Sequence, residues 1–252
     1  MLSAIIKDKI AAAKDIAVSD ASETRRTFLS EKYHVKVSAD NVATINSANV
    51  TVLAIKPQVL PGVMPDLKGK IKPEQLVISI VAGARIATIK KGLSHTAIVR
   101  SMPNTPAQIG EGITVWTATH EVTPAQKNQA EQILGVMGKH IYVPDEKYVD
   151  MATAVSGSGP AYLFYFVEAI IDAAVELGFS PEDAKLLTMQ TVNGATRLLL
   201  QSGKEAGELR QAVTSPGGTT AAAIKILEEG GFKSLISKAI YTAHERAKEL
   251  GK

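Results

Sequence analysis

The sequence predicts an α/β fold: a Rossmann-like doubly wound sheet followed by an all-α helical domain. Three observations carry this. Short, β-branched apolar runs alternate with helical stretches through the first half, the pattern of βαβ units. After Tyr148 strand signals nearly vanish and long helical patterns take over. The 252 residues, 45% hydrophobic and 21% charged, suffice for two domains that each bury a core. The expected division is 1–147 for the first domain and 148–252 for the second.

The predicted strands are Ile16–Val18, Val35–Val37, Val50–Ile55, Leu76–Val81 and Ala97–Ser101. Each is a brief apolar run with little polar alternation, which suits a parallel strand covered on both faces. Helical patterns separate them, at Ala21–Tyr33 after the capping pair Ser19-Asp20 and at Ile86–Leu93. Two further strands are expected at Ile113–Thr117 and Ile141–Val143, around a helix that Thr123-Pro124 caps and that runs to about Met137.

The second half reads as helices over Ala161–Leu177, Pro181–Ser202, Glu205–Ala212, Thr219–Gly230 and Phe232–Leu250. Gly178 ends the first of these, and Ser180-Pro181 with Glu182 and Asp183 starts the next. In Ala161–Leu177 the charges fall at Glu168, Asp172 and Glu176, one narrow stripe, while apolar residues cover the rest. Such a helix must be buried on most sides, which a small helical domain seldom achieves alone, so a subunit interface is expected, the alternative being a central helix wrapped by its own domain.

Composition removes several function classes. There is no Cys, hence no disulfide, thiolate metal site or cysteine nucleophile. Lys plus Arg is 28 against 25 for Asp plus Glu, a net charge of +3 without a basic block, so a nucleic-acid partner is not expected. No uninterrupted apolar run reaches the roughly 18–20 residues of a membrane span, and Met1–Ala13 lacks the apolar centre of a signal peptide, so a cytoplasmic protein without membrane contact is expected. The five histidines have no metal-pair spacing, and surface or capping roles are expected for them; no metal site is expected. No nucleophile elbow or Walker loop occurs.

What remains are loops at the carboxyl ends of the predicted strands, where doubly wound folds bind ligands. These are Ala54-Ile55-Lys56-Pro57, Ile80-Val81-Ala82-Gly83-Ala84, and Arg100-Ser101-Met102-Pro103-Asn104-Thr105-Pro106. Together they look like the walls of a dinucleotide crevice. In the helical half, Ser156-Gly157-Ser158-Gly159-Pro160 reads as a turn before the apolar helix. Thr214-Ser215-Pro216-Gly217-Gly218-Thr219-Thr220 opens another helix with two glycines and two hydroxyls. Converging backbone N–H groups at a helix N-terminus make that turn an anion site suited to a carboxylate or phosphate.

On these residues the chain resembles the pyrroline-5-carboxylate reductases, which carry out the last step of proline biosynthesis. The resemblance rests on Ala54–Pro57, Ser101–Pro106, Ser156–Pro160 and, most specifically, Ala212–Thr220 continuing through Leu227-Glu228. It implies hydride transfer from NADPH or NADH to a cyclic imine, with a helical domain that forms a homodimer, often assembled further into decamers. It implies that Ser215, Pro216, Gly217, Gly218, Thr219 and Thr220 hold the substrate carboxylate. Thr220 is the position proposed to hydrogen-bond the ring nitrogen; a neutral hydroxyl is a poor acid, so Thr219 and Thr220 are expected to orient rather than protonate. Glu146 falls where the family meets the substrate, and equally reads as a surface charge.

For the cofactor, the resemblance points to Ser19, Asn41, Ala54, Ile55, Lys56, Pro57, Ile80, Val81, Ala82 and Asn104. Asp20 beside Ser19 suits the free ribose hydroxyl of NADH, whereas Ser19 with Arg25 or Arg26 suits the 2′-phosphate of NADPH. Family habit leans to NADPH. One departure matters. A Rossmann domain opens on a strand and a Gly-rich turn, yet the first glycine here is Gly62 and Met1–Ala13 match only the later part of the family's first helix. The expectation is that Met1 is an internal methionine and that about fifteen residues precede it in the natural protein. The competing readings are a catalytically impaired or non-catalytic oligomeric paralogue or fragment, and another small reductase of the 6-phosphogluconate-dehydrogenase type. The latter commonly uses a Lys early in the second domain, and none lies between Met151 and Asp183.

Overall fold

The computed structural model of the chain describes residues 1–251. The chain forms two compact units, Met1–Pro160 together with the stretch from Thr242 onward, and Ala161–Tyr241. The sequence boundary at 147/148 thus falls inside the first unit, which also takes back the C-terminal end of the last helix.

The first unit begins with helix α1 (Leu2–Lys7), a 3-10 turn at Ala13–Asp15, strand β1 (Ala17–Ser19), helix α2 (Glu23–Tyr33), strand β2 (Lys36–Ser38) and helix α3 (Asn41–Ile45). It continues through β3 (Val50–Leu53), α4 (Leu60–Leu67), β4 (Leu76–Ser79), α5 (Ile86–Leu93) and β5 (Ile98–Met102). After a 3-10 turn at Thr105–Ile109 come β6 (Gly112–Ala118), α6 (Pro124–Gly135), β7 (Gly138–Tyr142) and α7 (Lys147–Ala152). Two short helices, α3 and α4, add to those the sequence predicts; Pro61, Gly62 and Pro65 hide α4 from a propensity reading.

Hydrogen bonds order the strands in two groups, β1-β2 and β3-β4-β5-β6-β7. β1 and β2 are parallel, with Val18 opposite Val37. β3, β4 and β5 are parallel, Val52 facing Ile78 and Ile78 facing Val99, and β6 runs antiparallel to β5 with Trp116 opposite Ser101. β4 is buried at all four positions, as its unbroken apolar run requires. Alternation sends neighbours to opposite faces. Val77 and Ile98 join Leu53, Leu60 and Ile89 in one cluster, while Ile78 and Val99 join Trp116, Ala130 and Leu134 in the other. Each fully buried side chain of this size contributes roughly 2 kcal/mol.

Helix capping follows the sequence closely. Thr123 and Gln126 form a reciprocal capping box on α6, and Ser22, rather than Ser19-Asp20, caps α2. His34 closes α2 in the left-handed conformation, φ 54°. His95 departs from the expected surface role: it is buried, and its Nε2–H donates to the Gln75 carbonyl across 2.8 Å. His140 also has an internal partner, accepting at Nδ1 from the Trp116 indole at 3.3 Å.

The predicted turn Ser156–Pro160 is instead a π-helical segment, Thr153–Gly157, that joins α7 to α8 (Gly159–Glu176). Pro160 has no N–H to donate to the Ser156 carbonyl, so the chain widens just before it, with the Ser158 amide bonding Thr153 O at 2.9 Å. A Cβ at Gly157 would stand 2.8 Å from Met102 Cε, so Met102 packs directly against this segment. The continuous helical run Lys147–Glu176 is long and apolar enough to cross a membrane by length and composition alone.

The second unit is helical: most of α8, then α9 (Pro181–Ser202), α10 (Ala206–Ala212), α11 (Thr219–Glu229) and the start of α12 (Phe232–Leu250). Among its described residues only Ala184 and Thr188 are buried. Leu163, Phe164, Tyr165, Leu177 and Leu200 stand exposed. A helical unit without an apolar interior does not hold together by its own packing, in keeping with the interface expected of the apolar helix.

Candidate active site

In the first unit the predicted cofactor residues stand at the carboxyl ends of parallel strands. Ser19 ends β1, and Asn41 opens α3 just after β2. Beyond β3 lie Ala54, Ile55, Lys56 and Pro57, with Lys56 exposed and its carbonyl accepting from the Val59 amide at 2.9 Å. Beyond β4 lie Ile80, Val81 and Ala82, with Val81 buried. Gly83 follows at φ +76°, where a Cβ would press within 2.8 Å of the Leu250 Cβ, so only glycine fits that bend. Beyond β5, Asn104 accepts at Oδ1 from the Ile113 amide at 2.9 Å, pinning the start of β6.

Around Ser19 the charges are already engaged. The Asp20 carboxylate accepts from the Ser22 amide at 2.8 Å, and Arg26 donates through Nη1 to the carbonyls of Asp20 and Ala21 at 2.7 and 3.0 Å. Arg25 lies 5.0 Å over the Phe28 ring. Neither arginine is aimed solely at a ribose phosphate.

A bound dinucleotide asks for polar groups at the adenosine ribose, backbone N–H groups at the pyrophosphate and an apolar wall at the nicotinamide. Ser19 with its neighbouring loop suits the first, and Val81-Ala82 on the glycine bend suits the last. For the middle, the strands fall into two separate hydrogen-bonded groups, and no Gly-rich turn follows β1 or β3. The chain therefore fits the two ends of such a molecule.

Glu146 is not a free surface charge. Its Oε1 accepts from Arg100 Nη1 at 2.7 Å and from the Ile86 amide at 2.7 Å. Arg100, in the middle of β5 and 1% exposed, also donates through Nη2 to Asp150 Oδ1 at 2.6 Å. The sequence places Arg100 in the loop that closes its strand, whereas it lies inside β5, and it does not single out Asp150. The available signal is a cation inside the otherwise apolar run Ala97–Ser101, which a buried position tolerates only with partners. Next door, exposed Asp145 is held below the usual carboxylate range by the amide and ammonium of Lys147.

The second unit holds the Thr214–Thr220 turn. Gly217 has φ +73°, and the Gly218 amide donates to the Ser215 carbonyl at 3.0 Å. Gly218 is the N-cap of α11 and supplies no side-chain cap. Thr219 and Thr220 occupy the first two helical positions, where backbone N–H groups lack intrahelical acceptors. Thr214 is turned away, its hydroxyl donating to the Arg210 carbonyl at 2.5 Å. A carboxylate at this helix end meets backbone donors, two hydroxyls and the positive end of the helix dipole.

Residues 146–250 match the family described as pyrroline-5-carboxylate reductase dimerisation, and residues 1–83 match NADP oxidoreductase, coenzyme F420-dependent. The chain is 41% identical over 252 residues to a pyrroline-5-carboxylate reductase of Synechocystis sp., spanning 100% of this chain and 94% of that protein. A solved pyrroline-5-carboxylate reductase from Coxiella burnetii is 41% identical with a TM-score of 0.89, covering 100% of this chain and 93% of its own. A Plasmodium falciparum pyrroline carboxylate reductase, solved with NADP bound, is 30% identical with a TM-score of 0.90, covering 99% and 92%.

Proposed function

The chain belongs to the pyrroline-5-carboxylate reductase family of NAD(P)H-dependent oxidoreductases, and on that premise we propose that it reduces 1-pyrroline-5-carboxylate to L-proline, the last step of proline biosynthesis. The observation that carries this reading is the N-terminus of α11. Gly217 at φ +73° and the glycine N-cap leave unfilled backbone donors beside the hydroxyls of Thr219 and Thr220. That is a site for a small carboxylate.

In this reading Ser215, Pro216, Gly217 and Gly218 shape the turn that receives the substrate carboxylate, with Thr219 and Thr220 at its helical end. The Thr220 hydroxyl orients the ring nitrogen, and the proton that completes the amine reaches that nitrogen from solvent. Holding the ring in one pose removes most of the orientational entropy of the reaction. The bound NAD(P)H supplies the hydride equivalent. Ser19 and Asn41 serve its adenosine end; Ala54, Ile55, Lys56 and Pro57 serve the phosphate side; Ile80, Val81, Ala82 and Asn104 serve the nicotinamide side. NADPH is the preferred form, with the neighbouring Asp20 carboxylate already taken by the Ser22 amide.

The helical unit forms a homodimer, and further assembly to a decamer is part of the same reading. Exposed apolar side chains on α8 support it. The protein works in the cytoplasm, with neither membrane nor nucleic acid as partner. The test is a steady-state assay of NADPH or NADH oxidation with pyrroline-5-carboxylate, paired with detection of proline. No proline from a folded, oligomeric chain would overturn the reading. That result would favour a second one, a catalytically impaired or non-catalytic oligomeric protein, in keeping with the division of the strands into two hydrogen-bonded groups.

A further inference from the structure

Helix α5 has an unusual cap. Its N-cap residue Arg85 provides no side-chain hydrogen bond, yet the Ile86 amide is satisfied by Glu146, 60 residues further along the chain, at 2.7 Å. The same oxygen takes Arg100 Nη1 at 2.7 Å, and Arg100 is fixed from its other side by Asp150 at 2.6 Å. Glu146 therefore joins three elements at one atom: the loop after β4, the middle of β5 and the head of α7. Arg100 is buried, so its guanidinium cannot follow the carboxylate into solvent. The carboxylate is held, and it holds the Ile86 amide.

We propose that Glu146 is a positioning residue for the cofactor wall, fixing the segment Ile80–Arg85 rather than touching the imine. The inference rests on the reading that NAD(P)H lies along Val81 and Ala82. The near end of that segment is held by the Ile80 amide on the Leu53 carbonyl at 3.1 Å, and Gly83 packs against Leu250; at the far end Arg85 does not cap, so there the Glu146 bond to Ile86 is the side-chain anchor. Asp150 provides the comparison, because it shares Arg100 while its bond runs to the guanidinium and not to the loop.

The experiment compares Glu146→Gln and Asp150→Asn in the full chain, by hydrogen exchange of the 80–90 segment and by steady-state kinetics. Glu146→Gln is expected to speed amide exchange there about tenfold and to raise KM for NAD(P)H about tenfold, with KM for the imine unchanged. Asp150→Asn is expected to leave the exchange of that segment near wild type. A rise in KM for the imine instead, with exchange unaltered, would overturn the proposal and return Glu146 to substrate contact. Equal loosening by both variants would also overturn it, as general loss of packing. If the unaltered chain shows no turnover, the functional reading fails, and the exchange comparison still decides the role of Glu146.

Discussion

Arg100 on β5 and Glu146 at the head of α7, 46 residues apart, meet at 2.7 Å with the arginine side chain only 2% exposed. Asp150 completes the arrangement at 2.6 Å. One cation serves two carboxylates, so removing it leaves both without their partner. Arg100→Leu is expected to destabilise the first unit by about 3 kcal/mol, the range for breaking a buried pair. Urea unfolding followed by circular dichroism checks this. Adding Glu146→Gln and Asp150→Asn to Arg100→Leu is expected to recover part of the loss.

Gly217 and Gly138 separate two reasons for glycine. At Gly217 nothing stands within 4 Å of where a Cβ would sit, and only φ +73° resists a side chain. Gly217→Ala is expected to cost about 1 kcal/mol and to raise KM for pyrroline-5-carboxylate several-fold. At Gly138, φ +122° coincides with contact against the Gly112 backbone. Gly138→Ala is expected to disrupt the β6–β7 pairing, read as loss of soluble folded protein.

Much of the fold is legible in the sequence, and the failures have physical causes. Helix Ile86–Leu93 emerges with its expected limits because its apolar spacing is local information. Pro181–Ser202 does so because Ser180 and Pro181 are local capping chemistry. The Ser156–Pro160 stretch reads as a turn from its glycines, yet the chain stays helical there and widens just before Pro160, which has no N–H to offer. The turn before α11 is readable as an anion site because all its groups are consecutive. The Arg100–Glu146–Ile86 junction is not, since its members are joined only by the fold.

Phe164, 58% exposed on α8, belongs to a unit whose described residues include almost no buried apolar side chains. Phe164→Asp would place a charge in the proposed dimer contact. It is expected to shift the protein to monomer or to weaken association at least about a hundredfold, given the cost of burying an unpaired charge. Sedimentation velocity across a concentration series checks it.

Lys56 stands exposed just beyond the end of β3, the position proposed for contact with a phosphate of the dinucleotide. Lys56→Ala is expected to weaken NADPH binding about tenfold while leaving the folded state untouched. Fluorescence titration with NADPH and thermal unfolding, run on the same samples, separate the two effects.

The central claim is reduction of the imine by hydride from the nicotinamide, and isotope transfer tests it most directly. Incubation with pyrroline-5-carboxylate and NADPH deuterated at the transferable position, followed by mass spectrometry of the product, is the measurement. On this claim the expected product is L-proline carrying one deuterium on the ring carbon that was double-bonded to nitrogen, not on the carbon bearing the carboxylate. Absence of proline, or proline without the label, from folded and oligomeric protein would contradict it.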